Sequence, residues 1–207
     1  MRPACILSLA LLSFSTYSNA SPATFKHKET IHEAAAHVKH LVRTVTTGTM
    51  ASVFPEGLHE GRPFALMEYH APCHPTPSLT FLLLPISMSV KNILSNEKHQ
   101  ATYTLQDHIS SKSAMSRGRV AFIGNMTLLP DLMYEERKQL TKCYLSYHPD
   151  AKRWLPDAKD PPHLAMWARL DVEDIYYVGG FGDSHYIGFI PVDLYSETGF
   201  GWGLDLQ

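Results

Sequence analysis

Residues 79–96, LTFLLLPISMSVKNILSN, constrain the fold more than any other stretch of this chain. The first six are mostly apolar, long enough for a strand buried on both faces. Pro85 cannot donate to a sheet ladder, so the strand stops there. Ser87 then offers a helix cap, Val90, Ile93 and Leu94 recur at helical spacing, and Asn96 ends the run. A second strand, QATYTL at 100–105, follows at once. Strand, short helix and strand in so few residues predict a compact unit. Its first helical turn offers free N–H groups to solvent or to an anion. On these residues alone the unit reads first as a packed connector and second as a ligand site.

The start of the chain carries an address. Arg2 supplies a positive n-region, residues 5–14 an apolar h-region, and Ser18-Asn19-Ala20 a small-residue cleavage site. That apolar run is too short to span a bilayer, and no other segment approaches the length. The expectation is a signal peptide at 1–20 and one domain at 21–207. The product would be secreted and extracellular, with a vacuolar or lysosomal destination as the alternative. Formal charge is −2 over 207 residues, and one unit more negative once Arg2 leaves, so a nucleic-acid partner is not expected. The 12 histidines make that charge responsive to a mildly acidic compartment.

Cleavage leaves two cysteines, Cys73 and Cys143. In an oxidising compartment the pair reads as one disulfide closing about 70 residues, nominally ~4 kcal/mol in the chain-entropy picture. The rival reading is two separate buried thiols. Asn125-Met126-Thr127 is a glycosylation sequon, whereas Asn19 of a second sequon would depart with the leader.

Taken in order, Thr30 and Glu33 have capping-box spacing, and Ile31, Ala34, Ala35, Val38, Leu41, Val42 and Val45 fall on one stripe. This predicts an amphipathic helix over 31–45. His32 and His37 within it suggest a zinc protease, but at five residues apart they point about 140° away from each other, so a solvated polar face is expected. Residues 46–54 and 62–69 read as strands joined by turn chemistry at Pro55-Glu56-Gly57 and Glu60-Gly61. His70, Cys73 and His74 supply three local donors in a proline-stiffened loop, too few for a metal once Cys73 is assigned to a disulfide.

A polar connector at 108–116 leads to a strand over 119–129, with Val120, Phe122, Gly124 and Met126 on one face and Asn125 and Thr127 on the other. Gly124 marks a bulge or a close backbone approach. A helix follows Asp131, stopped by Pro149, with Met133, Leu140, Cys143, Tyr144 and Tyr147 as its buried face. Residues 152–162 read as loop, and 163–169 and 174–180 as two strands. The pattern predicts a mainly β fold with helices, an antiparallel barrel of about six strands and three helices.

The order of GRPFA at 61–65, ISMSVKNILSN at 86–96, RVAFIGNMT at 119–127, SYHPDAKRW at 146–154 and VGGFGDSHYIG at 178–188 resembles the FMN-binding split-barrel superfamily, the fold of pyridoxamine 5′-phosphate oxidase. Within it the chain is most similar to the secreted CREG-type (cellular repressor) glycoproteins. The resemblance implies a homodimer with a flavin pocket at its interface, the cofactor phosphate being held by the turn after residue 84. In the oxidases that strand ends in a Tyr-Thr pair and the turn carries Ser-Arg-Lys. Here Leu82 and Leu83 stand at the strand positions and Ser87-Met88-Ser89 at the turn. No cation occupies the two basic positions, and a phosphate dianion wants charge-assisted hydrogen bonds. Ser87, Ser89, Lys91 and Arg62 remain as candidate cofactor-binding residues.

The segment GGFGDSHYIG resembles the FG-x-x-H loop of haem-utilisation and flavin-binding relatives. That likeness adds Gly182 and His185 as candidates, with Phe181 able to stack on a planar ligand and His185 to donate to it or to ligate iron. A tight closing turn is the bland alternative.

No catalytic constellation stands out. The expected function is binding of a protein or small planar ligand by a glycosylated split-barrel homodimer, without catalysis. FMN is a possible cofactor only, since its phosphate grip is degraded. An FMN-dependent oxidoreductase, or a flavin or haem binder, is the alternative.

Overall fold

The computed structural model describes residues 27–108 and 113–197. The expected signal peptide, part of the 108–116 connector and the last ten residues lie outside them. The first element is helix α1, Ile31–Thr44. Its start is the capping box read from sequence: Glu33 N donates to Thr30 Oγ1 at 3.3 Å, and Thr30 N donates to the Glu33 carboxylate at 2.8 Å. Ala34, Ala35, Val38, Leu41 and Val42 form its buried stripe. His32 is exposed as expected; His37 is half-buried and engaged, as described below.

Strands β1 (Thr47–Val53) and β2 (Pro63–Tyr69) form a hairpin with Met50 opposite Leu66. Strand β3 (Leu79–Leu83) is buried at every residue and leads through Ser87 into helix α2, Met88–Leu94. Then come β4 (Gln100–Gln106), β5 (Arg119–Leu128), helix α3 (Tyr134–Tyr147), β6 (Met166–Val178), β7 (Ile187–Ile190) and helix α4 (Val192–Glu197). All pairings are antiparallel, in the order β2-β1-β4-β5-β6-β3, with β7 also on β6. One edge of β6 is shared, by β3 along Met166–Leu170 and by β7 along Ile175–Val178. An isolated pairing of Ala71 with Thr80 joins the chain after β2 to β3 and curls the sheet into a split barrel.

Three expectations are corrected here. The unit at 79–105 is not a compact three-element motif, because β3 and β4 are not neighbours. Helix α2 packs on β1, and Asn92 Nδ2 donates to Ser52 Oγ at 3.3 Å, so the helix carries the chain across the barrel before β4 enters between β1 and β5. The two strands at 163–169 and 174–180 are one strand, β6, and Leu164 lies outside it, 73% exposed. The acidic stretch Asp171-Val172-Glu173-Asp174 resembles a turn, yet Arg169 and Thr127 hold Asp171, and Asn125 holds Glu173, on the outward face. Met133, expected in the core, precedes α3 and is 72% exposed, while Leu140 and Tyr144 are buried.

Residues 149–154, partly assigned to loop, form a 3₁₀ turn, and β7 and α4 follow where only a closing tail is expected. Gly124 fits its reading: the β5–β6 register shifts there, and a Cβ would stand 2.0 Å from the Asp171 carbonyl oxygen.

Two apolar clusters hold these layers. The larger fills the barrel, with Phe81, Tyr103, Phe122, Leu170 and Tyr177 beneath α1 and α4. The smaller lies outside β3 and β6, where Leu82 and Trp167 meet Leu140 and Tyr144 of α3. A disulfide between Cys73 and Cys143 ties α3 to the loop after β2.

Candidate functional site

The turn after β3 follows apolar strand positions and meets an acid of β2. Leu82 belongs to the outer cluster and Leu83 to the barrel core, so neither offers a donor. Ser87 occupies the helix-cap position, but its hydroxyl makes no cap bond. It donates instead to Glu68 Oε1 on β2, at 3.3 Å. Burial holds the Glu68 carboxyl above its ordinary range, and the Ser87 hydrogen bond offsets only part of that. Ser89 is fully buried, and its Oγ has no hydrogen-bond partner among the described residues.

Lys91 and Arg62 are exposed. Arg62 lies six residues before Glu68, roughly 20 Å along an extended strand, beyond the reach of its side chain. A flavin phosphate does not fit this turn, because the dianion would meet the Glu68 carboxylate with neither strand donors nor paired cations to hold it.

The loop between β6 and β7 forms a second, separate cluster. Glu29, just before α1, reaches into it. His185 Nδ1 donates to Glu29 Oε2 at 3.3 Å, and Tyr186 N donates to the same oxygen at 3.0 Å. Glu29 N donates in return to the Ser184 carbonyl at 3.0 Å. The Tyr177 hydroxyl lies 3.4 Å from Glu29 Oε1 and 2.5 Å from His37 Nδ1, and desolvation pushes the Tyr177 phenol far above its ordinary range.

The glycines of this loop make room for that cluster. A Cβ on Gly179 would stand 2.2 Å from Glu29 Oε2, and one on Gly180 would stand 2.8 Å from the His185 ring. Gly182 and Phe181 are exposed at the tip. Sequence reasoning missed Glu29 because a lone acid ahead of a capping box carries no local pattern; apart from His37, its partners Tyr177, His185 and Tyr186 lie at the other end of the chain.

The two candidate groups do not share a pocket within one chain. Ser87 follows Leu83, which pairs with Met166 at the start of β6; the Gly182–His185 loop follows Val178 at its end. Nearly the whole strand, on the order of 40 Å if extended, separates them.

The histidines of the loop after β2 are structural. The Val42 carbonyl can only accept, so His70 Nε2 carries the ring proton, 3.0 Å away, and Nδ1 faces the Tyr103 hydroxyl at 3.0 Å. Burial lowers the His70 pKa to about 4. His74 Nδ1 meets Thr80 Oγ1 at 2.6 Å. Among the described residues, no group of three or more acidic, His or Cys side chains is placed to hold a metal. Asn125 points outward, donating to Glu173 Oε1 at 2.5 Å.

Comparison with known proteins places this geometry. A family model described as CREG, beta-barrel matches residues 29–197. No curated protein sequence matches the chain. Among solved structures, a haem-binding protein from Mycobacterium smegmatis superimposes with a TM-score of 0.62 at 16% identity, covering 82% of this chain and 61% of its own. The haem storage protein HutZ from Vibrio cholerae gives 0.52 at 18% identity, covering 73% of this chain and 99% of its own. An FAD-binding protein from Mesorhizobium loti gives 0.50 at 14% identity, covering 69% and 90%. At these identities the likeness is one of fold.

Proposed function

The chain belongs to the CREG β-barrel family, and on that footing we propose that it is a glycoprotein of the secretory route that acts by binding, without flavin chemistry. One observation carries the reading. The turn that would grip a cofactor phosphate presents the Glu68 carboxylate to Ser87. A phosphate brought there would face like charge at a site already partly removed from water. Titration of the purified protein with FMN tests it. No flavin absorbance on purification and no saturable quenching of added FMN are expected; stoichiometric uptake would overturn the reading.

A homodimer is part of the proposal. The outer face of β5, β6 and β7 exposes Ile123, Tyr176, Ile187 and Phe189, and the described residues leave it uncovered. An apolar sheet face of this kind suits a second copy. A glycan on Asn125 would border it, leaving the end with Tyr176 and Phe189 for the contact. Light scattering on the glycosylated protein should report twice the monomer mass, and Phe189→Glu should return it to the monomer. Glycosidase treatment should lower the mass of the wild type and leave Asn125→Gln unchanged.

A second reading, a tetrapyrrole binder, is favoured by Glu29. Its carboxylate accepts the Nδ1–H of His185 and leaves Nε2 as the nitrogen available to a metal, the arrangement in which a carboxylate orients a ligating imidazole. Haemin titration of the wild type and His185→Ala separates the readings. A Soret shift in the wild type alone would favour the second.

A further inference from the structure

Glu68 is a half-buried carboxylate that no cation among the described residues pairs with. The one hydrogen bond it receives among the described residues is from Ser87, at 3.3 Å, long for a charged acceptor, and no lysine, arginine or histidine pairs with it. A charge drawn out of water normally carries a partner, so a group left this way requires an explanation.

The surroundings supply one. Leu66, two residues earlier on the same face of β2, is 54% exposed; Ile86 and Met88, on either side of Ser87, are 60% and 41% exposed. Exposed apolar side chains thus neighbour both ends of the Ser87–Glu68 hydrogen bond, an edge that suits contact with another protein surface better than enclosure of a small molecule. An apolar stem ending in a cation is the chemical complement of a carboxylate with apolar neighbours. Arginine matches best, because its planar fork can address both carboxylate oxygens and only Oε1 is engaged by Ser87.

We propose that Glu68 and Ser87, flanked by Leu66, Ile86 and Met88, form a docking point for an arginine side chain presented by a partner protein. The turn thereby exchanges an anion grip for a cation grip. The inference rests on the reading that this turn no longer takes a phosphate.

The test uses the full-length glycosylated protein, the tripeptide Ac-Leu-Arg-Leu-NH2 and its citrulline analogue, which keeps the shape and removes the charge. Binding is followed by calorimetry, with FMN titrated in parallel. The arginine peptide should bind saturably, and the citrulline peptide about tenfold or more weakly, the usual loss for a charged hydrogen bond. Glu68→Gln should remove the preference for arginine, and Ser87→Ala should reduce it less. Equal affinity for the two peptides, no binding of either, or a preference that survives Glu68→Gln would overturn the proposal. The citrulline comparison is made on the wild type and so does not depend on the variant folding. Absence of both FMN and arginine binding defeats this inference and leaves the proposed function standing, whereas FMN uptake defeats the proposed function itself.

Discussion

Ser87 on the turn before α2 donates its hydroxyl to Glu68 Oε1 on β2, 19 residues away and 3.3 Å distant. The contact joins the start of α2 to the β1–β2 hairpin. It also decides the charge of the turn, because among the described residues no lysine or arginine pairs with the acid.

Glu68 makes stability fall with rising pH. Its folded carboxyl titrates above its unfolded value, so between the two the native state holds a proton that the unfolded chain has lost. That stabilisation is present at acid pH and disappears as pH climbs through the folded value. Urea midpoints of Glu68→Gln should exceed those of the wild type at pH 7 and converge with them near pH 4. A variant weaker than the wild type at pH 7 would contradict this.

His70 acts in the opposite direction. Its folded pKa is lowered to about 4 from 6.5 by burial, so the unfolded chain takes up a proton first as pH falls. Stability present above pH 6.5 should be lost progressively towards pH 4, by up to about 3 kcal/mol at 1.36 kcal/mol per unit. NMR titration of the His70 ring gives the direct check: a midpoint near 6.5 would remove the effect.

Loss of the disulfide should loosen α3 before the barrel. Cys143→Ser is expected to cost about 2–5 kcal/mol. The smaller cluster around Trp167 and Tyr144 should protect its amides less, while Phe81 and Phe122 remain in a folded barrel. Hydrogen exchange resolved by residue would show whether both clusters open together, which would contradict the ordering.

Gly179→Ala should break the Glu29 junction. The new methyl would stand 2.2 Å from Glu29 Oε2 and must displace it, at a cost of roughly 1–3 kcal/mol. In a Glu29→Ala background most of that penalty should vanish, because the obstructing carboxylate is gone. Additive costs in the double variant would show that the glycine serves another purpose.

Local pattern carried much of this fold. The capping box at Thr30, the stripe of α1, the alternation of β5 and the bulge at Gly124 all follow from side chains a few residues apart. Long-range pairing did not. The continuity of β6 depends on hydrogen bonds from Thr127 and Asn125, and the Arg169 charge, to acids that resemble a turn, and the place of β4 depends on where α2 lands. At the candidate site, the loss of strand donors at Leu82 and Leu83 was legible residue by residue. Glu68 and Glu29 were not, since each acquires meaning only from a partner on another element.

The pairing of Ala71 with Thr80 is the thinnest seam of the barrel, two backbone hydrogen bonds of 3.0 and 2.9 Å where every other strand contact is a ladder. A curled sheet opens where it is least stitched. Cys73 lies two residues beyond that seam, and its bond to Cys143 fastens the same loop to α3, which sits on Leu82 of the strand across the seam. The weakest hydrogen-bonded closure is therefore backed by a covalent one two residues further along the chain. The seam and the bridge share one loop: in an oxidising compartment a covalent tie backs the two hydrogen bonds, and in a reducing one this loop is held by those hydrogen bonds and the packing of α3, while the barrel core stays closed.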